Sequence, residues 1–103
     1  MRRRMRPHAE IRLVLIAYDV SDDRRRRRVV KTAMWFGSRV QKSVFAAWVD
    51  ERAEADLQQL LQRAIDPQED ALLLVRCCPR CERGSRTAGT MPQLQAPPRW
   101  FVV

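Results

Sequence analysis

Three groups of residues in this sequence have types and spacings that could do chemistry: Asp19, the arginine run Arg24–Arg28, and the cysteines Cys77, Cys78 and Cys81. Asp19 follows the apolar stretch Leu13–Tyr18 and stands just ahead of Ser21. A carboxylate that ends an apolar strand sits where α/β sheets present ligands. Magnesium binds through one or two carboxylates and fills its remaining positions with water and substrate phosphate oxygens, so one aspartate per subunit could hold it at a dimer axis. Such an ion could polarise a phosphodiester and activate water for in-line attack. The alternative is an aspartate making a turn hydrogen bond before a helix, and spacing alone leaves both open.

The arginine run carries the stronger signal. Five consecutive helical residues turn through about 400°, so they ring a helix and cannot line one face. With Asp22 facing Arg26 and Asp23 facing Arg27 at i, i+4 spacing, Arg24, Arg25, Arg28 and Lys31 are left without local acids. Cations in the first turns oppose the helix dipole, at a cost of roughly 0.3–1 kcal/mol each, and repeated breaches of a local rule point to function. The first turn also offers free N–H groups to phosphate. The alternative for a charge run is a solvated face, and the distribution of charge weighs against it. Residues 1–50 hold 13 Lys/Arg against 5 Asp/Glu, whereas residues 51–103 hold 7 of each, so the whole net charge of +8 lies in the first half. Arg24, Arg25, Arg28 and Lys31 are therefore expected to contact nucleic-acid phosphates.

The cysteines carry less. Cys78-x-x-Cys81 is half of a four-ligand zinc site, and the single histidine, His8, lies in the N-terminal extension. No helix N-terminus is expected there to activate a thiol, so these residues are read as structural or incidental. His8 is badly placed for general-base work, and no nucleophile motif is present. Trp35, Trp48, Trp100 and Tyr18 could stack on bases, but their apolar neighbours favour packing.

The elements that must position these residues can be read from periodicity. Ile11–Val20 is a strand with Ile11, Leu13, Leu15, Ala17 and Asp19 on one face and Val14, Ile16, Tyr18 and Val20 on the other. Both faces are apolar, so each needs a covering layer, one from this chain's helices and one from a partner subunit. Ser21 is expected to cap a helix that runs to Phe36 and stops at Gly37, with Val29, Val30, Ala33, Met34 and Trp35 or Phe36 as its apolar stripe. Arg39–Asp50 is one bent strand or two short ones. Ala53–Ile65 is an amphipathic helix on Leu57, Leu60, Leu61, Ala64 and Ile65, ended by Pro67. Ala71–Cys77 is a further strand, and Arg99–Val103 is strand-like after a Pro-rich stretch, suited to pairing with a sheet edge. This order implies a βαββαβ sandwich, one mostly antiparallel sheet with two helices on one face.

At 103 residues with 46% apolar content the chain is expected to form one small domain. Residues 1–10 read as a flexible basic extension, 11–90 as the domain, and 91–103 as a Pro-rich linker and C-terminal strand. Leu13–Tyr18 is far below the roughly 20 residues of a membrane span, and no cleavage site follows the early arginines, so a cytoplasmic protein is expected.

The run L-V-L-I-A-Y-D-V-S-D-D-R-R-R-R-R-V-V-K (Leu13–Lys31), followed by R-V-Q-K-S-V-F (Arg39–Phe45), resembles the small CRISPR-associated protein 2 family. The resemblance continues through Leu57–Ile65 and the D-A-L-L-L-V strand, over roughly residues 11–78. It implies an α+β, ferredoxin-like fold and a homodimer whose sheets face each other, with the two copies of Asp19 sharing a magnesium ion as catalytic and metal-binding residue. It further implies a metal-dependent endonuclease acting on RNA or double-stranded DNA. The family also acts as a basic platform beside the CRISPR integrase during spacer acquisition. Two alternatives share this fold: a non-enzymatic DNA-binding scaffold and a toxin-type endoribonuclease. Ser43 and Phe45 match the family's S-V-F element, but Ala46 stands where an acidic residue often follows it.

Overall fold

β1 (Arg12–Asp19), α1 (Asp23–Phe36), β2 (Gly37–Gln41), β3 (Val44–Val49), α2 (Glu51–Ala64) and β4 (Ala71–Cys77) follow one another in the computed structural model, which describes residues 10–77, 88 and 89. The strands form one sheet in the order β2-β3-β1-β4 with every neighbouring pair antiparallel. This is the expected ferredoxin-like arrangement, and β1 sits inside it with β3 and β4 on either side. The expected C-terminal strand, Cys78 and Cys81, and the N-terminal extension lie outside the described residues.

The two helices cover one face only. Val14, Ile16, Tyr18 and Val20 form a continuous core with Val29, Ala33 and Phe36 of α1 and Ala53, Leu57, Leu61 and Ala64 of α2. On the other face β1 presents Leu13, which is buried, and then Leu15, Ala17 and Asp19, which pair with Val75, Leu73 and Ala71 of β4. Leu73 and Val75 are 59% and 42% exposed. Among the described residues, the second apolar face of β1 therefore has no complete covering layer.

Local details correct several sequence expectations. The N-cap of α1 is Asp22, not Ser21: its carboxylate accepts from the Arg25 backbone N–H at 2.9 Å, and its carbonyl accepts the first helical bond from Arg26. The buried stripe of α1 is narrower than expected. Val29, Ala33 and Phe36 follow i, i+4, i+7, whereas Met34 and Trp35 stand 58% and 48% exposed. Leu60 of α2 is likewise exposed. Asp50, itself buried, caps α2 by accepting from Ala53 N–H at 2.7 Å.

Gly37 ends α1, but not by the left-handed turn typical of helix-ending glycines. Its φ is −157°, so the backbone passes straight from helix into β2. A Cβ at this position would lie 2.2 Å from the Ala46 carbonyl oxygen. The glycine is required by the close approach of β2 to β3.

Candidate functional site

Asp19 is the last residue of β1 and is exposed. Strand alternation sets its side chain opposite Tyr18 and Val20, which are buried beneath the helices, so it faces the helix-free side of the sheet. No group of three or more His, Cys, Asp or Glu able to hold a metal occurs among the described residues. Asp19 thus offers a single carboxylate. That donor set fits a magnesium ion that takes one carboxylate from each of two chains, and it does not fit a cation needing an all-protein cage.

The cations of α1 are arranged differently from the sequence expectation. Local spacing leaves Arg25 without an acid, yet its Nε donates to Asp70 Oδ2 at 2.7 Å and its Nη2 to Asp70 Oδ1 at 3.2 Å. Asp70 also accepts from the Asp66 backbone N–H at 2.8 Å. The Arg25 hydrogen bonds are the main cause holding the Asp70 carboxyl below the usual carboxylate range, and Asp70 in turn raises Arg25. Arg26 pairs with Asp23 at i, i+3 spacing and donates to the carbonyls of Val20 and Ser21. The expected Asp22–Arg26 and Asp23–Arg27 pairs do not form. Asp22 instead accepts from the backbone N–H of Arg25, the first cause of its lowered pKa, and stands 4.0 Å from the Arg25 guanidinium, so Arg25 has a local acid at i, i+3 after all.

Arg24, Arg27, Arg28 and Lys31 remain exposed with no carboxylate partner among the described residues. Arg24, Arg28 and Lys31 follow i, i+4, i+7 and form one stripe pointing away from the core. Sequence reasoning missed Arg27, because it assigned Asp23 to it. The partner Asp70 lies 45 residues beyond Arg25, where no local rule could find it. The structure does not bring Asp19 and the cation stripe into one site. Asp19 belongs to the open sheet face, and Arg24, Arg28 and Lys31 belong to the outside of the helix layer.

No helix among the described residues is long and apolar enough to cross a membrane.

Residues 12–84 match the family described as CRISPR associated protein Cas2. The chain is 44% identical over 63 residues to a CRISPR-associated endoribonuclease Cas2 of Chloroflexus aurantiacus, a match covering 61% of this chain and 64% of the relative. It is 43% identical over 61 residues to a CRISPR-associated endonuclease Cas2 of Thermus thermophilus, covering 59% and 68% respectively. Among solved structures, Streptococcus pyogenes Cas2 at pH 6.5 superposes with a TM-score of 0.66 at 30% identity, covering 75% of this chain and 99% of that one. A hypothetical protein of Thermus thermophilus superposes with a TM-score of 0.72 at 34% identity, covering 81% and 96%.

Proposed function

The chain belongs to the CRISPR associated protein Cas2 family, and from that we propose that it is a homodimeric subunit of CRISPR adaptation that binds nucleic acid and cleaves phosphodiesters with Mg²⁺. The observation that carries the nuclease half is Asp19, an exposed carboxylate at the end of β1 on the helix-free sheet face, where Leu73 and Val75 of β4 are left exposed. A second copy packed on that face supplies the missing apolar layer for Leu73 and Val75. It also adds a second Asp19 near the two-fold axis. The paired carboxylates would hold Mg²⁺, whose chemistry when bound is to polarise a phosphodiester and lower the pKa of water. The relatives named endonuclease and endoribonuclease support this reading.

Phosphates are held by Arg24, Arg28 and Lys31, whose charges are not balanced by any described acid. Arg25 has a different task, tying the start of α1 to the residue before β4. In the family's setting the bound polyanion is double-stranded DNA handled with the CRISPR integrase, and RNA is the alternative substrate.

One feature favours a scaffold role alongside or instead of cleavage. Since the cation stripe lies on the helix layer and Asp19 on the sheet face, a duplex held by the stripe is not thereby delivered to Asp19 of the same protomer. Assaying the purified protein on RNA and duplex DNA, with and without Mg²⁺, beside Asp19→Asn, tests the two roles. The nuclease role predicts Mg²⁺-dependent cleavage that the variant loses while keeping its affinity. Cleavage that persists in Asp19→Asn refutes the assignment of the site. Binding by both proteins with cleavage by neither leaves the scaffold.

A further inference from the structure

The exposed Trp35 and Met34, which the core does not use, line a cleft of about 850 Å³ between α1 and the β2–β3 hairpin. Arg27, Lys31, Arg39 and Lys42 stand around it, and no acidic side chain among the described residues lines it. Arg26 also reaches the cleft, but Asp23 and two backbone carbonyls occupy its guanidinium. The Arg39 guanidinium lies 5.2 Å from the centroid of the Phe45 ring, without a carboxylate partner among the described residues. Tyr18 also lines the cleft, its hydroxyl donating to the Lys42 carbonyl at 3.3 Å and tying β1 to the hairpin turn.

A half-exposed tryptophan beside a methionine gains free energy when an apolar group covers it, and a flat ring can do so by offset stacking. Four cations that line the same cleft, with no acidic partner among the described residues, select an anion. One phosphate does not need four, so the charge matches consecutive phosphates of a strand better than a free nucleotide. In a duplex the bases are stacked inside and cannot reach Trp35. We propose that this cleft binds an unpaired nucleotide of single-stranded nucleic acid, its base on Trp35 and Met34 and its flanking phosphates on Arg27, Lys31, Arg39 and Lys42. The inference rests on the reading that the chain binds nucleic acid, and adds a strand-specific site on the helix layer distinct from Asp19.

The test is fluorescence anisotropy, in chelator without Mg²⁺, of a labelled thymidine hexanucleotide and of an abasic strand of equal length. The native chain should bind the thymidine strand about tenfold tighter, as expected for one base stacked on an aromatic ring. Trp35→Ala should erase that preference, and Trp35→Phe should keep most of it. Lys42→Ala should weaken both strands alike and lower the log–log salt slope by about 0.7, the value for one phosphate no longer neutralised on a single strand. Equal binding of the two strands by the native chain, or an unchanged preference in Trp35→Ala, overturns the proposal. Met34→Ala gives a second reading at an exposed position, with reduced preference expected. Duplex DNA titrated in parallel separates the two readings. Intact duplex binding without a base preference sinks this site alone, whereas a base preference without duplex binding supports it and counts against the duplex platform.

Discussion

Arg25 and Asp70 join the first turn of α1 to the residue that precedes β4, through two hydrogen bonds of 2.7 and 3.2 Å to a carboxylate with no exposed surface. The register then pairs the next residue, Ala71, with Asp19. The pair therefore anchors the helix that carries the cation stripe and the end of the sheet that carries Asp19. It spends a cation that charge counting alone assigns to phosphate.

That pair should be visible in the pH dependence of stability. The folded-state pKa of Asp70 is lowered, chiefly by Arg25. Its contribution is then complete above the unfolded carboxylate value of about 3.9 and is lost as pH falls through the lower folded value. Asp70→Asn should reduce the melting temperature at pH 7, with the gap to the native chain closing as pH drops below about 4. A gap that is the same at pH 3 and pH 7 means the carboxylate charge contributes nothing.

Arg25 and the outward stripe should separate in binding. Neutralising Arg24, Arg28 and Lys31 together should lower the log–log salt slope of duplex binding by about 0.9 for each phosphate they neutralise, with little effect on stability. Arg25→Gln should do the reverse, lowering the melting temperature and leaving the slope nearly unchanged. Salt titrations and thermal unfolding of both variants check this. A slope that only Arg25→Gln alters reverses the assignment.

Gly37→Ala tests the close approach of β2 to β3. The added Cβ meets the Ala46 carbonyl at 2.2 Å, a backbone group that cannot rotate aside. The cost should be on the order of 3 kcal/mol, at the upper end of overpacking, against less than about 0.5 kcal/mol for a change such as Gln58→Ala on the exposed face of α2. Denaturant unfolding of the two variants measures the difference.

The helix-free sheet face should be where two copies meet. Leu73→Asp places a charge among apolar residues there, and sedimentation should show the dimer weakened by at least about tenfold, since burying one such side chain is worth roughly 1.5–3 kcal/mol. The same variant should lose Mg²⁺-dependent cleavage while retaining the fold by circular dichroism. A monomeric variant that still cleaves removes the shared-ion arrangement.

Loss of cleavage in Asp19→Asn, with nucleic-acid affinity within about twofold of the native chain, is expected because the substitution removes one oxygen charge from an exposed position outside the cation stripe. Filter binding without metal and a cleavage assay with Mg²⁺ give the two readings.

Element order, strand identity and the helix-facing pattern of β1 were legible in the sequence. Period-2 and period-3.6 patterns follow from local backbone geometry, and both core faces here are nearly continuous in apolar residues. The strand-end position of Asp19 and the concentration of positive charge around α1 were legible for the same reason. The partner of each arginine was not. The Arg25–Asp70 bond spans 45 positions, and choosing between i, i+3 and i, i+4 for Asp23 depends on where the cap at Asp22 starts the helix. Nor could spacing tell that Trp35 stands out of the core while Phe36 enters it, since neighbouring positions differ by only 100° around the helix and the layer beneath chooses between them. Only the tertiary structure put Asp19 and the cation stripe on opposite layers, because side-chain direction at a strand end is set by the sheet face and not by nearness in the chain.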